Sequence, residues 1–210
     1  MMLPDVVYID PNMGVVNKPA GMLSVPGLGA GGHDCVAVHM QQRWPDVLVV
    51  HRLDMATSGL MLMARGAAMQ RALSMAFARR EVAKQYVAVV AGWVQGESGS
   101  IDLPLAADWP NRPRQQVDQQ RGKASLTHWQ VLQRDAASGC TRLLLEPVTG
   151  RSHQLRVHLA AIGHPILGDA LYAPPLVQGL AQRLLLHASR LAFADPESGM
   201  PREFECAVPF

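Results

Sequence analysis

The alternation of apolar and polar residues along the chain predicts short strands interrupted by a few helices. Val6–Ile9 and Gly14–Asn17 flank a Pro-Asn turn and form the first predicted strand pair. Val47–Val50 and Leu60–Ala64 are continuous apolar runs, a pattern typical of buried strands. The polar segment 51–59 connects these two runs, so its side chains are expected to lie on a loop between two core strands.

Three segments have helical patterning. Asp34 is placed to cap a helix that runs to about Arg43, and Pro45 would end it. A basic helix is predicted over Ala67–Glu81, and a third helix over Ser152–Ile162. These helices are too few and too irregularly spaced for a regular series of parallel β-α-β units.

The remaining pattern predicts further strands and one long loop. Residues 96–122 have weak periodicity and several prolines, which indicates a meander with a functional loop around Asp108–Pro113. The other predicted strands are Gln85–Trp93, Ser125–Leu132, Thr141–Glu146, Leu184–Phe193 and Glu203–Val208. We therefore expect the α+β class, with a mixed, largely antiparallel central sheet and flanking helices.

Composition favours a globular protein. Of the 210 residues, 49% are hydrophobic and 17% are charged, so burial can offset the entropy lost on ordering the chain. This length fits a single domain or two closely fused lobes. Neither a signal peptide nor an apolar stretch of about 20 residues is visible, so we predict a cytoplasmic protein without a membrane partner.

Positive charge is concentrated in the middle of the chain. Residues 43–156 carry 15 basic and 9 acidic side chains, although the net charge of the whole chain is only +2. Arginine accounts for 16 of the 19 cations, and its planar guanidinium suits phosphate and stacks on bases. The distribution is compatible with RNA binding, and equally with a genome whose composition favours arginine codons.

The segment His51–Gly59 is the first candidate for chemistry. A polar loop between rigid strands can present a catalytic side chain with little positional freedom, and Asp54 is the carboxylate of this loop. Arg52 lies two residues away and invites an ion pair. The alternative is a surface turn in which the aspartate caps its own backbone.

The segment Gly150–His158 is the second candidate. Arg151 is expected at the mouth of the third predicted helix, where a guanidinium can keep a carboxylate such as that of Asp54 ionised or bind a phosphate. The alternative is an amphipathic helix with a solvated arginine and a core histidine. Tyr86, which follows Lys84 at the start of a predicted strand, is a candidate for stacking on a base.

The histidines raise the alternative of a metal-dependent hydrolase. His153 and His158 are five residues apart, a poor spacing for one helical face, and His164 and His187 belong to no recognised ligand motif. We therefore predict no metal site.

Taken together, these segments resemble the RluA family of pseudouridine synthases. The matching segments occur in the family's order and span about residues 6–208: Asn17–Gly21, His51–Gly59, Lys84–Tyr86, Gly150–His158, Gly163–Asp169 and Leu185–Ala188. Any one of these motifs is modestly specific, but six in register are very specific. The resemblance implies a single catalytic domain over residues 1–210, made of two fused lobes with an active-site cleft across the sheet. The main departure from many relatives is that the chain has no room for the amino-terminal S4-type RNA-binding domain they carry, so we expect this domain to be absent.

The resemblance implies a role for each candidate residue. Asp54 matches the catalytic aspartate, Arg151 its arginine partner and Tyr86 the ring against the target base. Arg52 matches a residue that orders the site and the flipped RNA. The remaining expected RNA-contacting residues are Leu186, which matches an apolar floor near the ring, Lys18, whose motif also supports the fold near the cleft, Arg156 and Arg112.

The implied reaction converts uridine in structured RNA into pseudouridine. A base within a helix must be flipped out before it reacts. Asp54 would then either attack the sugar or remove a ribose proton, and the sequence leaves both routes open. No cofactor is expected, because the reaction is an isomerisation.

The expected substrate is less tightly defined by the sequence. The segment Asp108–Pro113 resembles members of the family that modify both a 23S rRNA hairpin and tRNA anticodon stem-loops. An rRNA-only or tRNA-only enzyme remains the alternative, as does a non-catalytic RNA-binding protein of the same fold. We expect a monomer that needs no protein partner.

Overall fold

The computed structural model describes residues 3–27 and 32–210, which form two compact units. The first unit comprises Met1–Lys84, within those described limits, together with His187–Pro209. The second comprises Gln85–Leu186 and Phe210. The helices are α1 (Val36–Arg43), α2 (Gly66–Ala78), α3 (Gln154–Ala161) and α4 (Pro175–Gln178). The strands are β1 (Asp5–Ile9), β2 (Met13–Lys18), β3 (Val47–Val49), β4 (Ser58–Arg65), β5 (Ala83–Ala91), β6 (Ser98–Asp102), β7 (Leu105–Ala107), β8 (Gln115–Val117), β9 (Leu126–Asp135), β10 (Cys140–Pro147), β11 (Leu186–Ala194) and β12 (Pro201–Glu205).

The strands of the first unit follow the order β1-β2-β4-β11, with β3 beside β4 and β12 beside β11. Its pairs are antiparallel except β4 with β11, where Ser58 lies opposite His187. Gly59 makes this parallel contact possible, because a Cβ atom at this position would lie 2.2 Å from the carbonyl oxygen of Ala188. The close approach fixes the start of β4, immediately after the predicted catalytic loop.

The core of the first unit forms where α2 covers the strands. Leu73 of α2 is fully buried, together with Leu60 and Leu62 of β4. The near-continuous burial of β4 agrees with its apolar sequence. Each buried leucine contributes about 1.5–3 kcal/mol to folding. The predicted catalytic loop therefore leads into a strand, β4, that is firmly packed.

The second unit contains the antiparallel order β5-β10-β9-β6 and a separate β7–β8 pair. Leu143 and Leu145 of β10 are completely buried. A short 3-10 helix, Trp109–Asn111, lies in the connection between β7 and β8. The predicted meander over residues 96–122 is therefore three strands and one helical turn.

These observations confirm the α+β class with a mixed, largely antiparallel sheet. The structure differs from the prediction at the start of α1, whose N-cap is Cys35 with no side-chain cap. Asp34 is instead bound to the ring of His39 at 2.6 Å. Among the described residues, no helix combines the length and the apolar character required to span a bilayer.

Candidate active site

The predicted site residues are distributed over both units. Asp54, Arg52 and Lys18 belong to the first unit, and Tyr86, Arg112, Arg151, Arg156 and Leu186 belong to the second. Each group is described within its own unit.

The loop that carries Asp54 is held by hydrogen bonds to its backbone. The amide of Leu53 donates to Oγ of Ser24 at 3.1 Å, and that hydroxyl donates to the carbonyl oxygen of Leu53 at 2.7 Å. The amide of Thr57 donates to the carbonyl oxygen of Asp54, which closes a turn. Leu53 is buried, whereas Asp54 is half-buried and Arg52 is exposed. The loop therefore fixes its backbone while leaving these two charged side chains at least partly accessible.

His51 supports the beginning of this loop. Its Nε2 accepts a hydrogen bond from the amide of Leu62 at 2.8 Å, and its ring stacks on Phe77 with centroids 4.5 Å apart. Burial, with a smaller contribution from the charge of Lys84, lowers the pKa of His51 to about 3. The imidazole is therefore neutral at physiological pH, with its proton on Nδ1, and acts as a structural acceptor.

Lys18 has a structural position that differs from the predicted RNA contact. Its side chain is completely buried, and its Nζ donates to the carbonyl oxygens of Pro19, Met22 and Met55 at 2.8–3.0 Å. A buried ammonium bound in this way is not available to a phosphate in solution. Lys18 is therefore reassigned to holding the loop that follows β2 against the loop that carries Asp54.

Arg151 lies in the turn before α3. Its side chain is exposed, and its Nε is 3.4 Å from the carbonyl oxygen of Ala124. Its backbone amide donates to Oε1 of Gln154 at 3.0 Å. The helix begins at Gln154 rather than Ser152, because His153 has a left-handed backbone conformation with φ of 55°. Arg151 thus stands three residues before the helix.

Gln154 fixes the backbone around Arg151. Its side chain is buried, accepts from Oγ1 of Thr149 at 2.8 Å and donates to the carbonyl oxygen of Leu126 and to Oγ1 of Thr127, both at 3.0 Å. With the Arg151 amide, this network satisfies the buried amide group fully. Sequence reasoning missed Gln154, whose polar character beside a predicted core histidine was the available signal.

Arg156 also differs from the prediction. Its side chain is 4% exposed and forms two hydrogen bonds to the carboxylate of Asp169, at 2.8 and 2.6 Å. The guanidinium also lies 5.1 Å from the ring centroid of Tyr172. These contacts assign Arg156 to the interior of the second unit, in place of the predicted contact with RNA.

The histidines considered as metal ligands have separate partners. Nδ1 of His153 is 2.6 Å from the hydroxyl of Tyr172, and Nδ1 of His164 is 2.9 Å from the carbonyl oxygen of Ala91. Burial lowers the pKa of His158, whose ring contacts the carbonyl oxygen of Leu103 at 3.0 Å. Over residues 3–27 and 32–210, no group of three or more potential ligand side chains is positioned to hold a metal ion.

Tyr86 and Leu186 keep positions compatible with their predicted roles, which remain predictions. Tyr86 is half-buried on β5, opposite the fully buried Leu145 of β10. Leu186 is buried at the first position of β11.

The loop between β7 and β8 presents an aromatic ring and a cation together. Trp109 is 68% exposed, and the guanidinium of Arg112 lies over its ring at 3.4 Å from the centroid. Asn111 bridges back to the carboxylate of Asp108, which stiffens the turn. Such a stacked, exposed pair can contact both a base and a phosphate.

Tyr172, which sequence reasoning missed, contacts both the end of the β7–β8 connection and the turn before α3. Its hydroxyl accepts from the amide of Gln115, directly after the loop, at 2.8 Å and also bonds to His153. The Arg114 guanidinium lies 5.4 Å from its ring. One phenol thus connects the Trp109 loop with the turn that carries Arg151.

Comparison with known proteins identifies the family of this chain. The family model for RNA pseudouridylate synthase matches residues 12–161. The chain belongs to this family. It is 49% identical to the dual-specificity RNA pseudouridine synthase RluA of Yersinia pestis, over 98% of this chain and 99% of the relative. Identity to the RluA of Escherichia coli K12 is 47%, over 98% and 93% of the two chains. The resemblance to the RluA family is confirmed, and the protein is an RNA pseudouridine synthase.

A solved structure supports the same fold. The human RNA pseudouridylate synthase domain containing 1 protein superimposes with a TM-score of 0.82 at 28% identity, covering 99% of this chain and 84% of that one. The pseudouridine synthase fold is therefore confirmed.

Proposed function

We propose that this RNA pseudouridine synthase has dual specificity, modifying uridines in a 23S rRNA hairpin and in tRNA anticodon stem-loops. The observation that carries the proposal is the match, at 47–49% identity over nearly complete chains, to synthases named for dual specificity. The exposed Trp109–Arg112 pair adds support, because stacking on a base tolerates different surrounding sequences. We further propose that the enzyme acts as a monomer in the cytoplasm, where both RNA classes occur.

Asp54 is proposed as the essential carboxylate of the reaction. Its support is the loop geometry, in which a rigid backbone presents a half-buried carboxylate beside the exposed Arg52. The carboxylate either attacks the sugar or removes a ribose proton, and the uracil then rejoins the ribose through C5. The proton displaced from C5 leaves to solvent, so tritium at C5 reports the reaction.

Arg151 and Tyr86 are proposed to act with this carboxylate. An exposed guanidinium on a fixed backbone is suited to stabilise an anion, and Arg151 has both properties. Tyr86 would stack on the extracted base, and Leu186 would form the apolar floor beneath it. Arg52 would bind the RNA strand from which the base is flipped.

Tritium release separates the possible substrate ranges. The purified protein is incubated with a C5-tritiated tRNA anticodon stem-loop and, separately, with a C5-tritiated 23S rRNA hairpin. We expect release from both RNAs. Release from only one of them would replace dual specificity by a tRNA-only or rRNA-only activity.

The matched variant is Asp54→Asn, which removes the charge while keeping the size of the side chain. It should bind both RNAs and release no detectable tritium, because the amide can neither attack the sugar nor accept a proton. Product formation by Asp54→Asn would contradict the proposed role of this residue.

A further inference from the structure

Arginines of the first unit differ in whether an acid neutralises them. Three arginines form ion pairs: Arg65 with Asp46, Arg190 with Glu203, and Arg202 with Asp195. At the end of α2, by contrast, Arg79 and Arg80 are exposed and form no ion pair with any residue that the structure describes. Lys84, half-buried, is likewise without an acidic partner there. Glu81 is the one acid in this stretch, so the local charge is +2.

Arg80 occupies a backbone position that normally selects glycine. Its φ is 63°, and its amide donates to the carbonyl oxygen of Phe77 at 3.1 Å. The amide of Glu81 donates to the carbonyl oxygen of Ala76 at 2.9 Å. These two bonds form a Schellman motif, in which the left-handed residue is usually glycine or asparagine. An arginine here is disfavoured by its own Cβ atom, so the local backbone gives no reason for an arginine at this position.

The same charges lie beside the start of the predicted catalytic loop. Phe77, three residues before Arg80, stacks on His51, which is three residues before Asp54. Burial lowers the pKa of Lys84, and the charge of Arg80 lowers it further, while the charge of Lys84 contributes to the low pKa of His51. Arg80, Lys84 and His51 are therefore within electrostatic range of one another.

We propose that Arg79, Arg80 and Lys84, termed here the α2 cationic surface, bind the phosphate backbone of the substrate RNA near the target nucleotide. Unpaired cations gain most from a polyanion, and guanidinium groups match the geometry of phosphate. The proposal rests on RNA as the substrate, and it adds a contact surface beyond the predicted catalytic residues. The charge of Arg80 in this binding would offset the cost of its left-handed backbone conformation.

Arg80→Gly provides a test in which stability and affinity change in opposite directions. Glycine relieves the left-handed strain, so the melting temperature should rise by about 1–3 °C. The same variant should raise the Kd for an anticodon stem-loop by about 3- to 10-fold. It should also lower the slope of log Kd against log salt by about one unit. If Arg80 had a purely structural role, its replacement would not raise the melting temperature while weakening RNA binding.

Two matched variants complete the design. Arg80→Lys keeps the charge and should keep the salt slope of the wild type. Arg190→Gln removes an arginine that is already paired with an acid in the same unit, and it should change neither affinity nor slope. An unchanged slope in Arg80→Gly, or an equal loss of slope in Arg190→Gln, would overturn the proposal.

A membrane is the other polyanionic surface to test. Binding of the wild-type protein to phosphatidylserine vesicles that Arg80→Gly abolishes, with RNA affinity unchanged, would overturn the proposal in favour of a lipid contact. The result of these binding tests does not depend on whether the enzyme modifies both RNAs. Failure of tritium release from one of the two RNAs would leave the salt slopes on the other RNA interpretable.

Discussion

The two segments that carry Asp54 and Arg151 are supported by different chemistry. In the first unit, the loop with Asp54 is held by a neutral imidazole, a serine hydroxyl and a buried lysine that donates to backbone carbonyl oxygens. In the second unit, the turn with Arg151 adjoins α3, whose Arg156 forms a buried bidentate ion pair with Asp169. In both segments an accessible charge, half-buried in Asp54 and exposed in Arg151, is the candidate for chemistry, and buried polar groups pack beside it.

The largest expected effect comes from separating the buried ion pair of the second unit. Asp169→Asn leaves the Arg156 guanidinium buried without its counter-charge, which should lower the free energy of unfolding by about 3–5 kcal/mol. Urea denaturation measures this loss. The matched variant Arg151→Gln removes an exposed arginine from the same segment and should change stability by less than about 0.5 kcal/mol.

For Arg151, the expected effect on activity is large although the expected effect on stability is small. Arg151→Gln should abolish tritium release while remaining folded, if Arg151 supports the reaction as proposed. An Arg151→Gln protein that is both fully active and fully stable would remove the distinction between the exposed and buried arginines of this segment.

The sequence predicted the positions of both segments but not the roles of all their charges. Two apolar flanks, of which the first is rich in β-branched valine, were enough to place Asp54 on a loop between β3 and β4. Lys18 and Arg156 were assigned to RNA because a cation in a family motif gives no information on burial. Their partners are carbonyl oxygens of Met22 and Met55 for Lys18, and a carboxylate 13 residues away for Arg156.

Helix starts show the same limit on sequence reasoning. The spacing predicted α3 from Ser152, yet His153, whose ring contacts the hydroxyl of Tyr172, has a left-handed conformation, and the helix begins at Gln154. At α1, Asp34 has the right side chain for a cap but binds His39 instead. Tyr172 was missed altogether, because Gln115 and His153, which its hydroxyl contacts, lie 57 and 19 residues away along the chain.

Acid should weaken the first unit through His51. The pKa of His51 is about 3 in the folded protein and about 6.5 when unfolded, so the unfolded chain binds a proton more readily. This contribution to stability is complete above pH 6.5 and is lost as the pH falls towards 3. Between pH 7 and pH 5 the loss should be roughly 2 kcal/mol.

A comparison with His51→Gln isolates this contribution. Glutamine can accept the hydrogen bond from the Leu62 amide, but it does not titrate. The difference in unfolding free energy between wild type and variant should therefore shrink or reverse on going from pH 7 to pH 5. Other groups, including the buried His158, titrate alike in both proteins and cancel. Parallel stability curves would show that the imidazole of His51 is not held neutral.

The smallest expected effect concerns the hydroxyl of Tyr172 in the second unit. Tyr172→Phe keeps the ring beside Arg114 and Arg156 but removes the acceptor of the Gln115 amide, which should lower stability by about 1 kcal/mol. Native-state hydrogen exchange measures the change locally. The amide of Gln115 should exchange faster in the variant, whereas the amide of Asp108, bonded to the carbonyl oxygen of Arg114, should change little. Because the same hydroxyl contacts His153, equal exchange of Gln115 in the two proteins would mean that the Trp109 loop and the turn of Arg151 are held independently.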